Sequence, residues 1–145
     1  MKSKSIFLVI IFIFTGCVPM KRTTQPNVNI EIMDSNSSVI KDAKVTFVNY
    51  MMAMKPKVST IVRKSPDGIF KLEKKSKIEL VIFAPDAYHS YEWFYCIEKD
   101  GYTPIIKNNL GTSYFSNAII EKMKKSSLNK KCLWSNKHPA KFILE

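Results

Sequence analysis

Three thiols, two imidazoles and one dense run of aromatic rings are the groups in this 145-residue chain with chemistry to offer. Cys17, Cys96 and Cys132 could be acylated, paired or used as nucleophiles, and their surroundings must decide which. His89 and His138 stand about fifty residues apart, outside any HExxH or close Cys/His grouping, so a zinc site is not expected. Asp86, His89 and Ser90 are neighbours in APDAYHSYEW. A catalytic triad needs a nucleophile on a strained turn and a base oriented in space, and adjacency supplies neither. Four glycines leave no phosphate-cradling loop, and the carboxylates are scattered. The expectation is no catalytic residue, no metal, no cofactor and no enzyme.

Tyr88, Tyr91, Trp93, Phe94 and Tyr95 make the densest aromatic segment. Large rigid rings desolvate well at interfaces, which makes Tyr88, Tyr91, Trp93 and Tyr95 candidate partner-binding residues. The competing reading divides the run between the two faces of a strand, with half of it in the core.

Cys17 is interpreted through what precedes it. Lys2 and Lys4 give a positive start, Ile6 to Phe14 is an unbroken apolar run, and Thr15 and Gly16 are small, the three-part layout of an export signal. Nine apolar residues rising about 1.5 Å each reach only about half of a roughly 30 Å hydrocarbon core, too short for a permanent span. Phe14-Thr15-Gly16-Cys17 resembles the lipobox of bacterial lipoproteins, with Phe14 where an aliphatic residue is usual. The resemblance implies removal of residues 1–16, a diacylglyceryl thioether on Cys17 and usually a further acyl chain, such as palmitate, on its amine. Two chains suffice for stable anchoring, since each buried methylene contributes about 0.8 kcal/mol. Val18, where an aspartate would resemble an inner-membrane retention signal, favours the outer membrane facing the periplasm in a host with two membranes.

Loss of 16 residues leaves 129 of the 145, and loss of Lys2 and Lys4 lowers the formal charge from +11 to +9. That length suits one domain with a real core. Residues 17–27 are polar and proline-containing and read as a lipidated flexible tether of at most about 35 Å, leaving 28–145 as the domain. The basic surplus suits anionic headgroups, cell-wall polymers or an acidic protein partner, or is a plain solvated face; export argues against nucleic acid. With Cys17 acylated, Cys96 and Cys132 remain as an even pair in an oxidising compartment, and a disulfide stabilising the fold by roughly 3–4 kcal/mol is expected. Two reduced structural cysteines are the alternative.

The elements that must position these groups read as strands. Val28, Ile30 and Ile32 alternate with polar residues, as do Ala43, Val45 and Phe47 after the DSNSS turn. Val58 to Arg63, the turn Ser65-Pro66-Asp67-Gly68, and then Phe70 and Leu72 give a hairpin signal. Ile78, Leu80 and Ile82 form a further inward set; Trp93 to Ile97, Ile105-Ile106 and Lys141 to Leu144 complete the strands. Phe115, Ala118, Ile119 and Met123 recur at spacings of three and four, which predicts one amphipathic helix near residues 113–125. The expected fold is all-β, an antiparallel sandwich of about seven strands.

Three segments in order, Asp42-Ala43-Lys44-Val45, Asp67-Gly68-Ile69-Phe70-Lys71-Leu72 and Gly101-Tyr102-Thr103-Pro104, resemble carboxypeptidase regulatory-like domains of the transthyretin-like (prealbumin-like) sandwich over residues 28–106. The resemblance implies an accessory or interaction module without chemistry of its own. Enzymatic members that hydrolyse hydroxyisourate end in Tyr-Arg-Gly-Ser, whereas this chain ends Phe142-Ile143-Leu144-Glu145. A small lipoprotein of the type VI secretion apparatus has a similar sandwich, which makes a secretion accessory an expectation by analogy. The functional expectation is a membrane-anchored, non-catalytic envelope module with a protein partner, of unspecified oligomeric state. The alternative is an inhibitor or immunity lipoprotein that neutralises an envelope-acting enzyme, with a hydrolase third.

Overall fold

The structure is a computed structural model that describes residues 17–53, 55–82, 90–115, 117–128, 130–135 and 140–144. Residues 1–16 and the residues Asp86, Tyr88, His89 and His138 lie outside the described residues. In chain order the strands are β1 (Cys17–Gln25), β2 (Val28–Asp34), β3 (Ala43–Met52), β4 (Lys57–Ser65), β5 (Ile69–Leu72), β6 (Lys75–Ile82), β7 (Ser90–Glu98), β8 (Ile105–Leu110), β9 (Ile119–Met123), β10 (Cys132–Ser135) and β11 (Lys141–Leu144). A four-stranded sheet, β4-β3-β7-β8, packs on a three-stranded sheet, β5-β2-β9, as an open sandwich, with β1-β6 and β10-β11 as two-stranded ribbons. The fold is the all-β sandwich expected, built from more strands than expected.

Alternation places the core as the sequence reading required. Val28, Ile30, Ile32, Ala43, Val45, Phe47, Phe70 and Leu72 are all buried between the two sheets. Phe115 fills the centre, 5.9 Å from the Phe47 ring and 6.3 Å from Trp93, both edge-on, a favoured geometry for aromatic pairs. On the far side of the four-stranded sheet, Val48, Phe94 and Cys96 form a second core under Phe142 and Trp134 of the β10-β11 ribbon. The Phe94 and Trp134 rings lie 4.9 Å apart. Strand β7 is therefore covered on both faces, and its residues Trp93 to Ile97 are buried in succession. The Cys96–Cys132 disulfide, with a Cα separation of 6.4 Å, fastens β10 onto β7, and the Phe142 amide donates to Asn108 Oδ1 at 3.0 Å to tie β11 to β8.

Four local expectations are corrected. The helix near 113–125 is a single 3-10 turn, Thr112–Phe115, followed by β9. Residues four apart, such as Ile119 and Met123, satisfy a helix or a strand period alike. The free edge of β2 decides, with β9 pairing to it in parallel from Ile30↔Ile119 to Asp34↔Met123. The 58–72 segment is not a hairpin, because β4 pairs with β3 and β5 with β2, so the Ser65–Gly68 turn carries the chain from one sheet to the other. Gly68 closes that turn at φ +77°, its amide donating to Ser65 O at 3.1 Å. A Cβ there would run into Val39 Cγ1 and sit 3.1 Å from the Ile40 carbonyl. Residues 17–25, read as tether, are strand β1. Ile78 and Leu80, read as inward, are 75% and 67% exposed, because among the described residues β6 pairs only with β1, beyond the edge of the sandwich.

Candidate functional site

The β1-β6 ribbon is a continuation of β2 and β5. Val28↔Leu72 and Gln25↔Lys75 keep one register across the break at Pro26-Asn27 and Glu73-Lys74, and the pairing then runs out to Cys17↔Ile82. At the break Gln25, 5% exposed, donates from Nε2 to the Glu73 carbonyl at 2.7 Å, satisfying a buried amide. At about 3.3 Å per residue, β1 carries Cys17 roughly 25 Å beyond that junction.

A polar latch on the ribbon's inner face holds it against the body. The Tyr91 hydroxyl donates to Glu79 Oε1 at 2.9 Å, and Lys77 Nζ meets the same oxygen at 2.5 Å and lies 5.9 Å over the Tyr91 ring. Arg22 Nε stands 3.8 Å from Glu79 Oε2. Burial works to raise the Glu79 carboxyl, but hydrogen bonds from Lys77 and Tyr91, with the charges of Lys77 and Arg22, outweigh it and hold the group below the ordinary carboxylate value. Reciprocally, the hydrogen bond to Glu79 pushes Lys77 up, and burial pushes the Tyr91 phenol up. Next to the latch, Trp93 Nε1 donates to the Thr24 carbonyl at 3.4 Å. A cleft of about 450 Å³ between the ribbon and β3-β4 is lined by Gln25, Asn49, Lys57, Lys77 and Tyr91 among others.

The outer face of the ribbon is different in kind. Pro19 pairs with Leu80 and Lys21 with Ile78, and all four are exposed. Lys74 and Lys75 follow at its root, both exposed.

The aromatic candidates do not form one exposed surface. Trp93 and Tyr95 lie in the main core, Tyr91 is half-buried in the latch, and Tyr88 lies outside the described residues. Division of the run between two strand faces is what the structure shows. Tyr95 also belongs to a group that sequence reasoning missed. Its hydroxyl donates to Glu121 Oε1 at 2.5 Å, Tyr114 donates to the same oxygen at 3.2 Å, and Lys107 Nζ lies 3.6 Å away. Burial first, then the bond to Glu121, pushes the Tyr95 phenol far above its ordinary value. With Tyr95 wholly buried and Glu121 8% exposed, this group bolts the four-stranded sheet to β9 rather than meeting a ligand. The available signal was Glu121 standing between Ile119 and Met123 on the inward phase of a strand.

A third feature is a concavity of about 460 Å³ that gathers Lys44, Lys64, Lys99, Lys130 and Lys131 around Asp42, Glu98 and Asp100. Glu98 is already engaged, pairing with Lys44 at 2.7 Å and accepting from the Cys132 amide at 2.8 Å, so the remaining cations dominate the rim. Among the described residues no group of three or more His, Cys, Asp or Glu could hold a metal ion, and no helix is long and apolar enough to cross a membrane. Comparison with protein-family models, curated proteins and solved structures found no match.

Proposed function

We propose that this chain is a lipid-anchored, non-catalytic interaction domain of the bacterial cell envelope, held in the outer membrane through an acylated Cys17. The observation that carries the reading is Gly16-Cys17 at the end of an apolar run, with the cysteine opening a strand that leads into the folded body. The Cys96–Cys132 disulfide supports an oxidising compartment. Turn-and-strand motifs similar to those of carboxypeptidase regulatory-like domains support an accessory role, as in a secretion or envelope assembly. A fatty-acid probe fed to the host should label the wild-type protein and leave Cys17→Ala unlabelled; equal labelling of the two refutes the anchor.

The partner is an acidic protein, and the lysine-rimmed concavity supports this. The same feature favours the second reading, an inhibitor or immunity lipoprotein docking on the acidic face of an envelope enzyme. Association through that rim should weaken steeply with salt and with Lys130→Glu/Lys131→Glu. A partner retained at high salt by that variant argues against both.

A further inference from the structure

A two-stranded ribbon is at best marginally stable alone in water, and needs a surface to pack on. Here the inner face has one, the latch around Glu79 and Tyr91. On the outer face, Leu80 and Ile78, 67% and 75% exposed, stand beside Pro19 and Lys21 with nothing over them among the described residues. Ile78 and Leu80 share one face of the ladder and are the two most exposed large apolar side chains among the described residues.

The charges around this patch are mostly basic. Lys21, Arg22, Lys74, Lys75 and Lys77 belong to the ribbon and its root, against Glu73 and Glu79. Glu79 points inward and is neutralised by Lys77 and Arg22. An apolar strip with a basic rim matches the boundary between acyl chains and anionic headgroups, where aliphatic side chains bury and lysines stay with the phosphates. Position agrees: the Cys17↔Ile82 pair lies only two residues along the ladder from Pro19↔Leu80. An acyl chain on Cys17 would bring this end of the ribbon to the bilayer.

We propose that the outer face of the β1-β6 ribbon lies on an anionic lipid surface, with Leu80 and Ile78 inserted among the headgroups and Lys21 against phosphate, so that the domain is held by its anchor and by a strand face together. The proposal rests on the anchored reading of Cys17, and its test separates the two. Protein processed by the host is extracted from membranes and reconstituted into vesicles of phosphatidylethanolamine and phosphatidylglycerol whose acyl chains carry bromine. Tryptophan emission is compared for the wild type, Leu80→Trp and, as a control, Val62→Trp on β4, where the native valine is 55% exposed. Insertion of about 5–10 Å brings the Leu80→Trp indole within reach of bromine, and its added emission should fall about two-fold relative to unbrominated vesicles. The Val62→Trp addition should not change. Replacing phosphatidylglycerol by phosphatidylcholine should reduce the quenching.

Equal emission of Leu80→Trp in brominated and unbrominated vesicles overturns the proposal. So does loss of its accessibility through concentration-dependent crosslinking of two copies across β6, which assigns the face to a second copy. Both substitutions lie at exposed positions, and an unchanged circular dichroism spectrum verifies folding. The intact mass of the extracted protein reports acylation of Cys17 independently. A chain without the acyl mass yet quenched at Leu80→Trp refutes the anchor and keeps the lipid-facing ribbon; an acylated chain without quenching does the reverse.

Discussion

Removing one oxygen tests whether the Tyr95–Glu121 group bolts the sandwich. Tyr95→Phe keeps the ring in place within the core and deletes the hydroxyl that donates to Glu121 at 2.5 Å. A hydrogen bond to a charged group contributes about 1.5–3 kcal/mol, more than a neutral pair, and the carboxylate left behind is 8% exposed with little water to replace the donor. Tyr114 at 3.2 Å and Lys107 at 3.6 Å remain, so Glu121 is weakened rather than stranded. The expected loss is about 2–3 kcal/mol, or roughly 10 °C in Tm for a domain of this size. Urea unfolding should show a lowered midpoint with an unchanged slope, since the surface exposed on unfolding is the same. Tyr114→Phe, losing the longer bond, should cost about 1 kcal/mol. The two losses should not add, because both hydroxyls serve one oxygen. A Tyr95→Phe protein within about 0.5 kcal/mol of wild type refutes the bolt and makes the cluster incidental to the packing of the rings.

The Cys96–Cys132 bridge closes a separation of 36 residues; its removal by Cys96→Ser/Cys132→Ser should cost about 4 kcal/mol and expose the Phe94 face, read as new binding of a hydrophobic dye. At the latch, the Glu79 carboxyl is held below its ordinary value of 4.5, so its contribution is complete above that value and is lost as pH falls through the lower folded value. Amide exchange in 17–25, corrected for intrinsic rate, should therefore accelerate as pH falls below that ordinary value, and Glu79→Gln should bring the same acceleration at neutral pH; equal protection in Glu79→Gln and wild type counts against the latch. Gly68→Ala should cost more than Gly101→Ala, because both have positive φ but only at Gly68 does a Cβ meet neighbouring atoms. Roughly 2 kcal/mol or more against about 1 is expected by thermal unfolding.

Where a strand's two faces differ, the sequence was readable. Val28-Ile30-Ile32 and Ala43-Val45-Phe47 announce both period and buried face, and the structure agrees at each residue. The misreadings occur where two periods coincide or where partner choice is long-range. Ile119 and Met123 fit either period, and only the vacancy beside β2 makes them a strand. The Ser65–Gly68 turn has the chemistry of a hairpin, yet turn chemistry says nothing of which sheet the second strand enters. Five consecutive buried residues at Trp93–Ile97 mark a strand covered twice, and no local feature names the β10-β11 ribbon as its second cover. The latch was hidden because Arg22 and Glu79 are 57 residues apart and carry meaning only once β1 and β6 pair.

Replacing a flexible tether by a paired ribbon changes what an anchor at Cys17 could do. A disordered stretch of ten residues would let the body sample any orientation within its reach, and each contact at the membrane would be an independent event. Strand β1 instead shares its ladder with β6 and is tied to β7 through Glu79, Tyr91, Thr24 and Trp93. Cys17, the exposed ribbon face and the sandwich are thus parts of one connected body, and fixing the first restricts the orientation of the others. The lysine-rimmed concavity, assembled from β3, β4 and the segments following β7 and preceding β10, belongs to that same body. On the proposed reading, an acidic partner meeting it would encounter a surface already oriented by an anchor at Cys17, which would lower the rotational freedom lost on binding. Disrupting the latch should therefore weaken capture of that partner at the membrane while leaving affinity for the detergent-solubilised protein unchanged, a difference that a loss of fold would not produce.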